Sequence, residues 1–541
     1  MIMYSDLLLK ANMECISPKS HCAAETSESL NAWEGFAMTT GQRHGRAAAL
    51  GFAVLIAASL LARDAASTDR MAGTKPAENV QGTVLRVGVQ AAPAISLPAE
   101  THGRTWTHAH GGRVEVVRIP FEHLYDRLMA GLTGTDAPFD VIFHAPGWAA
   151  DFAPYLREMP ARIAEDESFD DIHPVFRDRL MRWDGRWVSV TVDGDVFSGY
   201  YRRDLFEDPI NRRAFARRYG RPLMPPTTWA QYRTIAAFFT GRTGPDGQPV
   251  YGTSEPFARG GQEVWTVFAR AAAYTNPPGV AGAQFFDPDT MTPRINTPGW
   301  VRAVREYRDI AAFSPPDALR NGITESRRAF LDGHTAMALD WGDTGTMAEN
   351  PKHSRVAGCV GYFVLPGSDE VWNADTDAWQ PIPNGRRVPF LAFGGWVAAV
   401  PRNAPNPDAA WDYILWFSNV RNSMADVLDG RTGVNPYRYS HFVEVDAWMR
   451  VLPPRAAADY IRVIRSSLDS PHAALDLRLP GFQAYMDSFE TELTRILAGE
   501  VPVQEGLDAA AARWEAITDR HGRAAQRAHY RASMGLAPAA P

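Results

Sequence analysis

The chain has 541 residues, 45% hydrophobic and 11% aromatic, with a formal net charge of -7. That length exceeds what one compact core holds and predicts two lobes or domains. The mildly acidic balance argues against a nucleic-acid partner, which needs a basic face, and suits a soluble protein.

Ala47 to Ala62 (AAALGFAVLIAASLLA) is apolar and uncharged, follows Arg43, His44 and Arg46, and precedes the small residues Ala65, Ala66 and Ser67. Basic start, apolar centre and small-residue exit are the three parts of a secretory signal. The stretch is shorter than the roughly 20 residues of a membrane span, which favours cleavage over an uncleaved anchor. Met38 opens a leader of ordinary length, so residues 1–37 read as an extension outside the native start, 38–67 as the signal and 68–82 as a flexible lead-in. Cys15 and Cys22 lie upstream of the leader, which leaves Cys359 alone after processing. A single cysteine makes no internal disulfide and no thiolate metal site. No cysteine follows the apolar stretch to carry a lipid anchor, so the expected location is the periplasm.

Beyond the lead-in the pattern alternates. Val84 to Val89 (VLRVGV) and Val114 to Ile119 (VEVVRI) read as strands, and Phe121 to Leu132 as a helix with Leu124, Leu128 and Leu132 on one face. Asp140 to Phe143 (DVIF) reads as a buried parallel strand. This rhythm predicts an open α/β sheet. Later helices are expected from near Thr228, which suits an N-cap, and over 298–313, 408–418, 487–497 and 503–517. The tail 521–541, rich in Arg and Ala, reads as disordered.

Taken in order, RVGV, GGRVEVVRIPFEHLYDRLMAGLTG, PFDVIFHAPGWAADFAPYL, WDGRWVSVTVDGDVFSGYYRRDLF, PPTTWAQY, AFLDGHTAMALDWGD, GYFVLPG and PFLAFGGWVAAVPRNAPNPDAAWDYILWFS resemble the segments of extracellular solute-binding protein family 1. Arg202 stands where the family has asparagine, and Thr191 where it has proline. The resemblance covers about Val84 to Ile517. It implies the class II fold of periplasmic binding proteins, two α/β lobes joined by chain crossovers, with an N-lobe over 83–193 and 396–430 and a C-lobe over 194–395 and 431–520. It implies a monomeric receptor of an ABC importer that closes on a sugar, oligosaccharide or polyol and presents it to permease subunits, with no cofactor and no catalysis.

A sugar site pairs aromatic rings for C–H faces with charged and amide groups for hydroxyls. The resemblance places His144 and Trp148 after the DVIF strand, Asp195 at the first crossover and Trp396 at the second, behind Gly394 and Gly395. Trp148 reads equally as core, and the Asp193-Gly194-Asp195 run as a solvated turn. Trp341 and Asp343, an indole beside a carboxylate, follow a strand; core packing with a helix cap is the alternative. Trp265 reads as core. Arg431, Asn435 and Tyr437 fall in a loop that resembles a cleft-lining segment. No G-x-S-x-G, H-E-x-x-H, phosphate loop or dinucleotide fingerprint occurs. Asn373, Asp375 and Asp377 begin like a calcium loop but meet Ala378 and Asn384 where glycine and glutamate are required, and His108 with His110 reads as a loop pair; no metal site is expected. An accessory or sensor protein of another periplasmic system, or a carbohydrate-active enzyme using the acidic pairs, stays open as an alternative.

Overall fold

A computed structural model describes residues 80–538 except 281, 392 and 393. All of these fall in one compact unit, residues 59–541. The expected leader 38–67, the segment before it and residues 68–79 lie outside the described residues.

Two five-stranded sheets frame the fold. The first has the order Arg113–Ile119, Val84–Gln90, Val141–His144, Trp396–Ala399, Val190–Asp193. Its first three strands are parallel, with Val87 facing both Val116 and Val141. Trp396–Ala399 runs antiparallel to both of its neighbours. Alternation sets the burial of the opening strand: Leu85, Val87 and Val89 are fully enclosed. A helix that the sequence reading omits, Pro93–His110, joins the first two strands. Pro98 and a weak apolar stripe hide it, yet Ile95, Ala99 and Trp106 all point inward. Trp106 Nε1 donates to Asp412 on the helix Pro407–Ser418, at 2.7 Å. The supposed loop pair His108 and His110 sits in the last turn of this helix.

The second sheet has the order Val360–Phe363, Phe197–Arg202, Thr335–Trp341, Pro249–Ser254, Arg242–Thr243. Phe197–Arg202 and Thr335–Trp341 are buried at every residue, so both faces of this sheet are covered there, with Arg202 and Asp340 the charged groups enclosed among apolar ones. The helix Trp229–Phe239 is capped by the Thr228 side chain, which accepts from the Gln231 amide. Described helices Phe482–Leu497, Val503–His521 and Arg523–Met534 follow.

The last of these corrects an expectation. Residues 523–534 are helical, not disordered, and Gln526, Tyr530 and Ser533 form a buried face. Tyr530 Oη donates to Gly282 O at 2.5 Å and accepts from the Phe286 amide. Abundant Arg and Ala disguise that stripe in the sequence.

Chain passage between the sheets sets up the site. The chain leaves the first sheet after Asp193 and enters the second at Phe197; it returns to the first at Trp396. A third passage follows the helix Val420–Leu428, and its loop lies on the first passage: the Gly194 amide donates to Asn435 O.

Candidate functional site

The three passages meet at Asp193, Asp195 and Asn435. The Asn435 amide donates to Asp193 Oδ1 at 2.5 Å, and its Nδ2 donates to Asp195 Oδ1 at 2.5 Å and to Asp193 Oδ1 at 3.2 Å. Gly395, with φ of +82°, passes so close to the Asp193 carbonyl that any Cβ would overlap it. Close approach of two backbones is what that glycine permits.

On the second sheet, Thr335–Trp341 ends in Asp340 and leads to Asp343. Arg327, on the helix Ile323–Leu331, reaches both. Its Nε and Nη2 bind the two Asp340 oxygens at 2.9 and 2.7 Å, and its Nη1 and Nη2 bind Asp343 at 2.9 and 3.0 Å. Planar fork geometry explains why an arginine can serve two carboxylates at once. Asp340 also accepts from the Trp341 amide.

Two carboxylates therefore bind one guanidinium, and Asp195 and, through Asp343, Asp193 feel the charges of that group. Burial, then repulsion from Asp343, pushes Asp193 up to about 8. Burial, then Asp193 and Asp343, raises Asp195 well above the carboxylate range. Burial raises Asp343 to about 6 against the opposing pull of Arg327. Tyr460, on the helix Pro454–Leu468, is fully buried, and the charges of Asp343, Asp193 and Asp195 all act on its hydroxyl. Among the described residues, Tyr460 Oη and Asn435 Oδ1 have no hydrogen-bond partner. Buried polar atoms of this kind cost free energy unless something fills them.

Two groups of indoles flank this cluster in sequence. Trp341 packs edge-on against Phe197 at 5.0 Å and Trp265 at 5.9 Å, and its Nε1 donates to Gln262 at 2.6 Å. Trp396, whose strand register places it opposite Asp193, packs edge-on to Trp148 at 6.5 Å, with Tyr125 on the other side of Trp148 at 5.4 Å.

Of the residues named from the sequence, Asp195, Asp343 and Asn435 come to one cluster, Trp341 lies beside it in the chain, and Trp148 and Trp396 pair. Three are placed differently. His144 is wholly enclosed, with Nδ1 on Ala145 O at 2.8 Å and its ring against Phe152. Burial pushes its imidazole down to about 4, so it is a neutral core histidine. Arg431 has a side chain 74% exposed and pairs with Asp429 at 2.7 Å, as a solvated surface ion pair. Tyr437 packs beneath Gly194 and against His441. Arg327, Asp340, Tyr460 and Gln262 escape the sequence reading, Asp193 is there a turn residue and Trp265 core. Asp340 carries a signal: a charge inside the buried strand AMALDW. Among the described residues no group of His, Cys, Asp and Glu is arranged to hold a metal ion.

The model of the family described as bacterial extracellular solute-binding protein matches residues 91–422. A protein of Sinorhizobium fredii, named a probable amino-acid ABC transporter periplasmic-binding protein, is 24% identical over 327 residues, 59% of this chain and 65% of that one. The chain thus spans just under two thirds of that relative. An ABC transporter solute-binding protein of Agrobacterium radiobacter K84, in complex with ribitol, superposes with a TM-score of 0.64 at 20% identity, covering 82% of this chain and all of its own. One from Agrobacterium vitis S4 with bound D-mannitol gives 0.62 at 20%, covering 82% of this chain and 99% of that chain. A maltose-bound protein of T. maritima gives 0.63 at 18%, covering 81% of this chain and 100% of that chain. At these identities the likeness shows the two-lobe α/β fold. With more than half of its length matched by the family model, the chain belongs to the bacterial extracellular solute-binding proteins.

Proposed function

We propose that the protein is the extracytoplasmic receptor of an ABC importer, capturing a carbohydrate-like solute between its lobes and handing it to membrane permease subunits. The observation that carries this reading is the cluster of Asp193, Asp195, Asp343, Arg327, Asn435 and Tyr460 at the chain passages, with Asn435 Oδ1 and Tyr460 Oη unpartnered. A polyhydroxylated ligand suits it, because each hydroxyl both donates and accepts. Its hydroxyls donate to the carboxylates and to Asn435 Oδ1, and accept from Tyr460 and Arg327. Indole faces such as Trp341 cover the C–H surfaces of such a ligand. Passages that all lie at one place suit a hinge motion that shuts the lobes on the solute.

In this reading the mature protein works in the periplasm as a monomer, after removal of the leader, and binds without catalysing. Its ligand is sought among sugars and polyols, the class bound in the ribitol, D-mannitol and maltose complexes. A thermal-shift screen of the chain from residue 68, against mono-, di- and oligosaccharides, polyols and amino acids, tests it. Binding to the folded form alone must raise the melting temperature. A rise of several degrees with one sugar or polyol, lost in Trp341→Ala, is the expected outcome. Response to amino acids alone would overturn the ligand class, and silence throughout would favour an accessory role.

A further inference from the structure

A cavity of about 420 Å³ opens away from the acidic cluster, and none of the cluster's residues lines it. Its walls come from the turn around Gly279, from Arg386 at the end of the strand Ala378–Arg386, from residues 470–475, and from Arg179. No aspartate or glutamate is among the lining residues, whereas Arg179, Arg386 and His472 are.

Several guanidinium groups that leave water are met by a carboxylate: Arg270 meets Glu255, Arg294 meets Asp287 and Arg327 meets Asp340, each at 2.7 Å. Buried Arg478 is instead enclosed by the carbonyls of Pro146, Arg179, Leu180 and Arg182. Arg179 and Arg386 are partly buried and, among the described residues, have no ion-pair partner. Arg179 donates to Ser533 O at 3.0 Å, and Arg386 donates to Asn276 O. Arg386 Nε is buried with no hydrogen-bond partner at all. Burial, and after it the Arg386 charge, lower the pKa of His472. Placing half-dehydrated cations around an open space is costly unless an anion enters it.

Shape narrows the class. Val280, Phe285, Leu475 and Met534 give the cavity apolar walls, and its volume lies within the roughly 300–1,000 Å³ of small-molecule sites. An inorganic ion would leave most of that surface bare. We propose that this cavity is a second ligand site, taking a small organic anion whose phosphate or carboxylate head is held by Arg386 and Arg179 while its apolar body lies on Val280 and Leu475.

Isothermal titration of the protein with phenyl phosphate and with benzoate, beside neutral benzyl alcohol, tests the site and tells the two head groups apart. Saturable binding of at least one acid but not of the alcohol is expected, weakened at least about tenfold in Arg386→Gln, as loss of a charge-assisted fork requires. Val280→Trp, which fills the cavity from its wall, should abolish it and leave the melting-temperature response to cleft solutes unchanged. Absence of saturable binding by either acid, or binding that Val280→Trp leaves intact, overturns the proposal. If Arg386→Gln does not fold, Val280→Trp decides alone.

Discussion

Two arginines in this protein, Arg270 fully buried and Arg327 partly so, stand in opposite circumstances. Arg270, on the helix Glu263–Thr275, meets Glu255 through two parallel hydrogen bonds of 2.7 Å, and its guanidinium stacks over Trp229 at 4.5 Å. One positive charge meets one negative charge, and both carboxylate oxygens are engaged. Arg327 instead faces Asp340 and Asp343, with Asp193 and Asp195 close enough to feel its neighbours' charge. The first arrangement is complete within the chain and holds the fold together. The second carries surplus negative charge and unpartnered atoms, a deficit that ligand hydroxyls would fill. Burial alone does not tell a structural ion pair from a binding site; closure of the hydrogen bonding does.

Breaking the complete pair should have the largest effect. Arg270→Met strands a buried carboxylate and is expected to cost about 3–5 kcal/mol in urea denaturation, with solute affinity of the folded protein unchanged. A loss under about 1 kcal/mol would show that the pair is not what fixes this lobe. Asp195→Asn should do the reverse: stability within about 1 kcal/mol of the parent, and solute affinity by calorimetry at least about tenfold weaker. Destabilisation on the scale of Arg270→Met would move Asp195 into the structural class.

The smallest effect is on pH. Asp193 holds its proton in the folded state up to about 8, whereas the unfolded chain releases it near the ordinary value of about 4. Between these values the folded state binds more protons, so stability without ligand falls as pH rises. Buried His144 and His441, both lowered, act in the opposite direction below about 6.5, so the decline is isolated between about 6.5 and 8. Glu263, raised by burial to about 8, adds to the same slope. Asp193→Asn should make the fall of the urea midpoint across that window shallower, with Glu263 and Asp195 still contributing, and an unchanged slope would remove Asp193 from the account.

Strands were the legible part of this fold, because Leu85, Val87 and Val89 alternate and the runs through Ile142 and Leu339 are too apolar for a surface. Two helices were not: Pro93–His110, with its weak stripe and internal Pro98, is passed over, and Arg523–Met534 reads as disordered because Arg and Ala dominate it. Of the candidate cluster, Asp195, Asp343 and Asn435 could be named from the sequence because they follow strands or turns within recognisable segments. Arg327 was not, since an arginine in ESRRAF looks like any solvated helical residue until its helix is laid beside Asp340. Tyr460 was missed for the same reason, its role arising only when a helix near the C-terminal end meets the first passage. His144 and Arg431 were named from the resemblance of their segments, which does not say which way a side chain faces.

The strand Trp396–Ala399 lies between Val141–His144 and Val190–Asp193, both made roughly 200 residues or more before it. Until it emerges, Val190–Asp193 has no neighbour in its own sheet. All five strands of the other sheet lie between residues 197 and 363 and need nothing made later. Pairing across such long stretches of chain is slow, and nearer partners form first. The sheet whose strands are synthesised first is therefore the one completed last, by a late strand slipped into its middle.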